Sequence, residues 1–122
     1  IRSLKDSVME EAASAFRRLL EKRTRVAVSM EPLIWKGAVE LSPLLQEAAE
    51  KACGEMGVSC VRMPSGASHD AAPMAGIVPA GMLFVPSAGG ISHAKEEATP
   101  PDDLVRGAEA LLRTVLEADA RL

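Results

Sequence analysis

The sequence predicts an α/β fold in which short buried strands alternate with amphipathic helices. Three stretches carry apolar residues at helical spacing, about 4–22, about 42–57 and about 99–116. Between the helices, period-two alternation or a brief apolar run predicts strands at residues 24–30, 58–63 and 82–85. Such alternation is typical of layered α/β domains, in which ligand-binding loops follow the ends of the strands.

The bulk composition excludes several classes of protein. A chain of 122 residues has the size of one ordinary domain. Its net charge of −3 offers no basic surface to nucleic acid or to an anionic membrane. No apolar run is long enough to span a bilayer, and the first residues have no signal-peptide core. We therefore expect a cytoplasmic protein with no nucleic-acid or membrane partner, and with Cys53 and Cys60 as buried free thiols.

The first 41 residues predict a strand end, a helix and a second strand. Ile1-Arg2-Ser3 leads into the first helix, and Ser3 with Asp6 forms a variant of the capping box. The alternating stretch 24–30 follows as a strand with one covered face. Pro32, Trp35 and Gly37 then interrupt any regular pattern, so residues 32–41 are a candidate hinge or domain boundary.

The two later helices have clear start signals. Ser42 is placed to cap the second helix with Pro43 in its first turn, and Gly57 is placed to end it. Its predicted buried stripe comprises Leu44, Leu45, Ala48, Ala49, Ala52, Cys53 and Met56. Thr99 and two prolines start the last helix, whose predicted buried stripe comprises Leu104, Val105, Ala108, Leu111, Leu112, Val115 and Leu116.

The stretch Met63–Glu97 is the candidate functional site. It contains both histidines of the chain, His69 and His93, each after a loop of small residues and each near carboxylates. Loops of small residues let the backbone approach a ligand closely, and imidazole is a common metal ligand and proton carrier. Residue spacing alone leaves two alternatives open for His93: a metal or acid–base role, or a loop histidine hydrogen-bonded to backbone.

Other chemical candidates are weaker. Ser65 next to Gly66 lacks the glycine spacing of a nucleophile elbow, which argues against a serine hydrolase. The acidic pair Glu96 and Glu97 is typical of a solvated surface. Arg2 is either an ordinary surface arginine or, at a strand end, a guanidinium presented to a carboxylate.

The histidine loops resemble one enzyme family. The motifs are Met-Pro-Ser-Gly-Ala-Ser-His-Asp-Ala-Ala-Pro-Met-Ala (63–75), Gly-Met-Leu-Phe-Val-Pro-Ser-Ala-Gly-Gly-Ile-Ser-His-Ala-Lys-Glu-Glu (81–97), Asp-Leu-Val-Arg-Gly-Ala (103–108) and the opening Ile-Arg-Ser. They are similar to those of binuclear metal-dependent amidohydrolases: N-carbamoyl-L-amino-acid hydrolases, β-ureidopropionases and allantoate amidohydrolases. This family lies within the zinc aminoacylase and carboxypeptidase superfamily. Ser68 departs from the usual Gly, and Ala94-Lys95 from the usual Ser-Pro.

The resemblance implies a domain division and site roles. Residues 1–35 correspond to the tail of a lid and dimerisation domain, and residues 36–122 to the C-terminal half of the α/β catalytic domain. His93 corresponds to a metal ligand, His69 to a substrate-binding residue that stabilises the oxyanion, and Arg2 to the residue that binds the substrate carboxylate. The family uses two divalent metals, zinc or manganese, and forms homodimers through the lid.

These correspondences predict part of an amidohydrolase that cleaves a linear amide or ureido C–N bond in a small carboxylate substrate. The general base and the other metal ligands of the family precede the region that resembles this chain. One imidazole cannot assemble a two-metal site, so we expect the chain alone to be inactive and to need the missing N-terminal part of the enzyme. The alternatives are a non-catalytic dimerisation or binding module, and an aminoacylase or peptidase of the same superfamily.

Overall fold

Four α-helices make up the regular structure of a computed structural model that describes residues 3–23, 25–31 and 34–121. They are α1 (Asp6–Arg23), α2 (Pro43–Glu55), the short α3 (Ala71–Ala75) and α4 (Pro101–Asp119). A 3₁₀ turn, Ala88–Gly90, lies between α3 and α4. The helices predicted at about 4–22, 42–57 and from Thr99 are therefore confirmed, with small shifts at their ends.

The main core is the seam between α2 and α4. The buried residues of α2 are Ala48, Ala49, Ala52 and Cys53, and those of α4 are Ala110, Thr114 and Ala118. The buried Thr114 hydroxyl donates a hydrogen bond to the Ala110 carbonyl oxygen at 2.7 Å, so this buried polar side chain is satisfied. Because these side chains are small, the two helix backbones can approach closely.

Ion pairs link the solvent-facing margins of the same two helices. Lys51 of α2 binds Glu117 of α4, with 2.6 Å between Nζ and Oε2. Arg121, just beyond α4, contacts the carboxylates of Glu117 at 2.7 Å and Glu47 at 3.6 Å. These side chains are partly exposed, so each pair contributes modestly to the stability of the contact between the two helices.

The predicted stripe of α2 is largely correct, whereas that of α4 is wrong. The larger apolar side chains of α4 are exposed, and Val105, Leu116 and Leu112 expose 67%, 61% and 60% of their surface. The small residues Ala110, Thr114 and Ala118 are buried instead, because α2 meets α4 along that face. Hydrophobicity therefore did not identify the contact face of this helix.

The first helix belongs to a separate part of the structure. Met9 is its buried apolar residue. Ser3 accepts a hydrogen bond from the Lys5 N–H at 3.1 Å, while the Asp6 carboxylate accepts one from the Ala38 N–H at 2.8 Å. A Cβ on Gly37 would lie 2.9 Å from an Asp6 oxygen, so glycine permits this close approach. Asp6 thus binds a distant segment rather than completing a capping box with Ser3.

The predicted α/β arrangement is wrong for the residues that the structure describes, which contain no strand. Residues 25–30, 58–63 and 82–85 are all irregular, and Thr24 lies outside the described residues. A strand requires ladder hydrogen bonds to a neighbour. No backbone pairing of that kind joins these described segments, and Val61 is 78% exposed. An apolar run was therefore insufficient to establish a strand.

Contacts between Cα atoms divide the chain into two compact units. One comprises Ile1–Glu40 with Pro64–Ser68, and the other comprises Leu41–Met63 with His69–Leu122. The second unit contains α2, α3, α4 and both histidines. None of the helices in the described part is long and apolar enough to cross a membrane.

Candidate functional site

The loop that carries His93 is closed by its own backbone. The Ala88 N–H donates a hydrogen bond to the Ala98 carbonyl oxygen at 2.7 Å, which joins the two ends of the loop. Gly89 and Gly90 adopt φ values of 64° and 68°, a left-handed conformation that glycine reaches without steric cost. The Ser87 hydroxyl donates to the Ile91 carbonyl oxygen within the same turn. The two glycines therefore let residues 88–98 form a compact, self-supported loop.

His93 itself adopts a left-handed backbone conformation. Among the non-glycine residues that the structure describes, His93 is the one with a positive φ, at 58°. The His93 N–H donates a hydrogen bond to Glu97 Oε2 at 2.8 Å, and the Glu97 N–H donates to the Ala94 carbonyl oxygen at 3.0 Å. A bond to a carboxylate is stronger than one to a neutral acceptor, so Glu97 offsets part of the cost of this conformation. The result is an imidazole presented on an exposed loop.

Glu97 is the residue of this loop whose role the sequence did not indicate. Its carboxylate is predicted to be a solvated surface charge, yet it holds the backbone of the candidate metal ligand. The four-residue spacing from His93 is compatible with such a bond, but the positive φ that makes the bond possible cannot be read from residue types.

His69 lies in a different setting, immediately before α3. Its carbonyl oxygen accepts a hydrogen bond from the Ala72 N–H at 3.0 Å, which ties the residue to the start of that helix. Its ring packs edge-on against Phe84, with 5.6 Å between centroids and 60° between planes. Aromatic rings prefer such an arrangement, so Phe84 restricts the orientation of the half-buried imidazole.

The remaining predicted site residue, Arg2, lies outside the described residues. The predicted roles of Arg2, His69 and His93 therefore stay predictions. The structure adds the contacts that hold His69 and His93.

The described residues can supply one ligand to a metal centre, but they do not supply a complete set of ligands. A zinc site of the predicted kind needs several imidazole and carboxylate ligands. Over residues 3–23, 25–31 and 34–121, no group of three or more His, Cys, Asp or Glu side chains could hold a metal ion. His93 is exposed and can offer a ring nitrogen to an ion whose other ligands come from elsewhere.

A shallow groove lies beside the seam of α2 and α4. It is lined by Ala52, Glu55, Glu109, Leu112, Arg113, Leu116 and Glu117. Neither histidine lines this groove. The lining carries charged side chains of both signs, so the groove favours neither a cationic nor an anionic ligand. The groove therefore does not form part of the candidate site.

Comparison with known proteins identifies the family. The family model described as Peptidase family M20/M25/M40 matches residues 23–117. An N-carbamoyl-L-amino acid amidohydrolase of Geobacillus stearothermophilus is 36% identical over 118 residues, covering 94% of this chain and 29% of its own length. An allantoate amidohydrolase of Bacillus subtilis (strain 168) is 45% identical over 73 residues, covering 60% of this chain and 18% of its own length.

A solved structure agrees with these sequence matches. A crystal structure provisionally described as an amidohydrolase/peptidase from Burkholderia cenocepacia superposes with a TM-score of 0.76 and 33% sequence identity. The match covers 96% of this chain and 29% of that protein, so the chain spans less than a third of the relatives compared here. The resemblance predicted from the histidine loops is confirmed, and the chain belongs to peptidase family M20/M25/M40.

Proposed function

We propose that this chain is part of a metal-dependent amidohydrolase that cleaves a linear amide or ureido C–N bond. The proposed substrates are N-carbamoyl amino acids or allantoate-like compounds, both small carboxylates. The observation that carries the proposal is the 36% identity to a named N-carbamoyl-L-amino acid amidohydrolase across 94% of this chain. The similarity to an allantoate amidohydrolase supports the same class of bond but a different substrate.

In this proposal His93 contributes one ligand to a metal centre shared with the rest of the enzyme. The closed loop and the hydrogen bond to Glu97 hold the residue in place before an ion binds, which lowers the cost of ordering the site. Bound divalent ions, zinc or manganese, would polarise the scissile carbonyl and supply an activated water. The general base is not assigned to this chain.

His69 and Arg2 are proposed to bind the substrate. His69, oriented by Phe84, would donate a hydrogen bond to the oxygen that becomes negatively charged during attack. The Arg2 guanidinium would bind the substrate carboxylate through two parallel hydrogen bonds. Binding both ends of the substrate would hold the scissile bond in position for attack.

The domain assignment and the partners belong to the same proposal. Residues 1–35 would be the tail of a lid domain through which the enzyme forms a homodimer, and residues 36–122 would complete the catalytic domain. The chain spans 29% of the Geobacillus relative, which is consistent with further metal ligands lying in the remaining length. A cytoplasmic setting stays a prediction from composition.

The test uses the full-length gene product, purified with its metals. We expect hydrolysis of N-carbamoyl-L-amino acids or allantoate, with about two divalent ions per active site by elemental analysis. His93→Ala should lose bound metal together with activity. His69→Ala should keep its metal, while kcat falls by about 10²–10³-fold because an oxyanion donor is lost.

Lys95→Ala provides a matched control, since Lys95 lies on the same loop and its side chain, which pairs with Glu96, is 91% exposed. This variant should retain metal and activity. Full metal content and full activity in His93→Ala would contradict the ligand assignment. A wild-type protein with neither metal nor activity would instead favour the non-catalytic module, and activity confined to acylated amino acids or peptides would favour the aminoacylase alternative.

A further inference from the structure

The chain reverses direction at the end of α2 and returns along the same helix. Gly57 adopts a φ of 66°, and the Val58 N–H donates a hydrogen bond to the Cys53 carbonyl oxygen at 2.9 Å. The Gly57 N–H donates to the Gly54 carbonyl oxygen at 3.1 Å. A left-handed glycine followed by a bond back to the last helical turn is the usual way in which a helix ends and its chain folds back. Residues 58–62, the return segment, therefore begin beside Cys53.

A bidentate ion pair fixes the other end of the return segment. Arg62 donates from Nε to Glu50 Oε1 at 2.6 Å and from Nη2 to Glu50 Oε2 at 2.7 Å. Glu50 precedes Cys53 by one helical turn, so the return segment runs back along α2. Cys60 lies between the two attachment points, Val58 and Arg62.

The return segment brings the two cysteines of the chain together. Val58, whose N–H binds the Cys53 carbonyl oxygen, precedes Cys60 by two residues, so the turn returns Cys60 to the part of α2 that carries Cys53. Burial raises the pKa of the Cys53 thiol, and the neighbouring Cys60 thiol raises this pKa further. Both cysteines are free, but only Cys53 is buried, whereas Cys60 is exposed. The expectation that both thiols are buried is therefore wrong for Cys60.

We propose that Cys53 and Cys60 form a reversible disulfide that cross-links the return segment to α2. Cys60 is the thiol that reacts first with the oxidant and forms a mixed disulfide. Cys53 is the thiol that then attacks this mixed disulfide. The turn at Gly57 and the Arg62–Glu50 pair attach the return segment to α2 on both sides of Cys60, which keeps this thiol close to α2 before reaction. This modification site uses none of the residues of the proposed amidohydrolase chemistry.

The oxidant is a small-molecule disulfide such as oxidised glutathione. The Cys60 thiolate attacks one sulfur of this disulfide, forms a mixed disulfide and releases one glutathione, which takes up the proton that Cys60 lost. The Cys53 thiolate then attacks the Cys60 sulfur and releases the second glutathione, which takes up the second proton. Two protein thiols are oxidised to one disulfide, and one molecule of oxidised glutathione is reduced to two thiols.

The experiment exposes the reduced 122-residue chain to oxidised glutathione and follows free thiols and intact mass. We expect both thiols to disappear with the loss of two hydrogens and no retained glutathione. Proteolysis should yield a peptide cross-linked between Cys53 and Cys60, and dithiothreitol should restore both thiols. A product that carries stable glutathione on Cys60, with Cys53 still free, would overturn the proposal.

Single variants separate the two roles. Cys53→Ser should stop at one stable glutathione adduct on Cys60, because no resolving thiol remains. Cys60→Ser, a change at an exposed position that should not disturb folding, should acquire no adduct on the buried Cys53. Rapid modification of Cys53 in that variant would contradict the assignment of Cys60 as the entry thiol.

Arg62→Ala tests whether the return segment brings the thiols together. It should accumulate the Cys60–glutathione intermediate because the segment loses its second attachment to α2. Arg113→Ala is the matched control, since Arg113 also binds a glutamate, Glu109, but does so within α4. The control should close the disulfide at the wild-type rate, and equal closure in both variants would contradict a role for the ion pair.

Discussion

A carboxylate of its own loop stabilises the backbone conformation of His93. A non-glycine residue with a φ of 58° is disfavoured by contact between its Cβ and the backbone. The bond from the His93 N–H to Glu97 Oε2 is the interaction that favours this conformation. At the scale of the residue, Glu97 therefore positions His93 through its backbone N–H.

The corresponding prediction compares two adjacent glutamates. Glu97→Ala should destabilise the loop by about 1 kcal/mol, the usual value of a hydrogen bond, and should speed exchange of the His93 amide several-fold. Hydrogen exchange followed by NMR measures this rate directly. Glu96→Ala is the control, because Glu96 contacts only the exposed Lys95 among the ion pairs of the described chain. Equal protection of the His93 amide in both variants would show that Glu97 does not hold the loop.

Residue types were enough to select the two histidines as candidate site residues, but not to predict how each one is held. Both His69 and His93 could be selected from the sequence because they follow loops rich in small residues. Glu97 and Phe84 could not be selected, since their roles depend on a positive φ at His93 and on the path of residues 82–85 past His69. Loop conformation is decided by contacts that residue spacing does not encode.

At the scale of the element, α4 is constrained by a close contact with the segment before the histidine loop. A Cβ added at Gly107 would overlap Val85 Cγ1, whereas one added at Gly54 of α2 would meet nothing within 4 Å. Replacement of glycine by alanine should therefore lower the stability of the chain at Gly107 and raise it at Gly54.

Gly107→Ala should destabilise the chain by about 1–2 kcal/mol, because overpacking against Val85 outweighs the gain in helix propensity. Gly54→Ala should stabilise it by up to about 1 kcal/mol, since alanine restricts the unfolded chain and meets no obstacle. Urea unfolding of both variants, monitored by circular dichroism, measures the difference. A Gly107→Ala variant as stable as Gly54→Ala would show that Val85 moves aside without cost.

The ion pairs between α2 and α4 predict a dependence of stability on pH. Lys51, and after it Arg121, hold the pKa of the Glu117 carboxylate below its usual value of 4.5. A lowered pKa contributes stability above the unfolded-state value, and this contribution is lost as pH falls through the folded-state value. The urea midpoint should therefore decline below about pH 4.5, and more steeply in wild type than in Glu117→Gln. Identical pH profiles for the two proteins would exclude a contribution from this carboxylate.

The helices could be predicted from the sequence, whereas the predicted strands are wrong for the residues that the structure describes. Proline at the start of α2 and α4, glycine after α2 and apolar spacing are local signals, and α2 indeed spans Pro43–Glu55. A strand instead requires a second strand to pair with, and that partner can lie anywhere in a chain. The apolar run 58–63 alone therefore did not establish that a strand forms there. The buried face of α4 was also misjudged, because its contact with α2 is made by small residues and not by its leucines.

At the scale of the whole molecule, the residues that the structure describes bury little apolar side-chain volume. The buried apolar residues of the described part are Met9, Ala48, Ala49, Ala52, Cys53, Ala110 and Ala118, and no large side chain among them is fully buried. The larger apolar side chains of α4 form an exposed surface instead. Contiguous exposed apolar surface binds hydrophobic dyes and promotes association.

We therefore expect the 122-residue chain to enhance the fluorescence of the dye 8-anilinonaphthalene-1-sulfonate. The double variant Val105→Gln/Val115→Gln should reduce this enhancement at least about twofold, because both valines are exposed apolar residues of α4. Arg113→Gln, a polar replacement on the same helix, should leave the dye signal unchanged. Dye binding that is absent in wild type, or unaffected by the double variant, would contradict an exposed apolar surface on α4.

The alanine-rich seam of α2 and α4 also restricts how the sequence can diverge. Because Ala48, Ala52, Ala110 and Ala118 all contribute only a methyl group, a bulkier residue on one helix has no large neighbour to shrink in compensation. A deep mutational scan should therefore reveal a narrow intolerant strip on each helix, accepting glycine or serine far better than valine or leucine. The bulky positions on the opposite side of α4 should tolerate exchange freely, which reverses the usual rule that the largest apolar residues are the least replaceable.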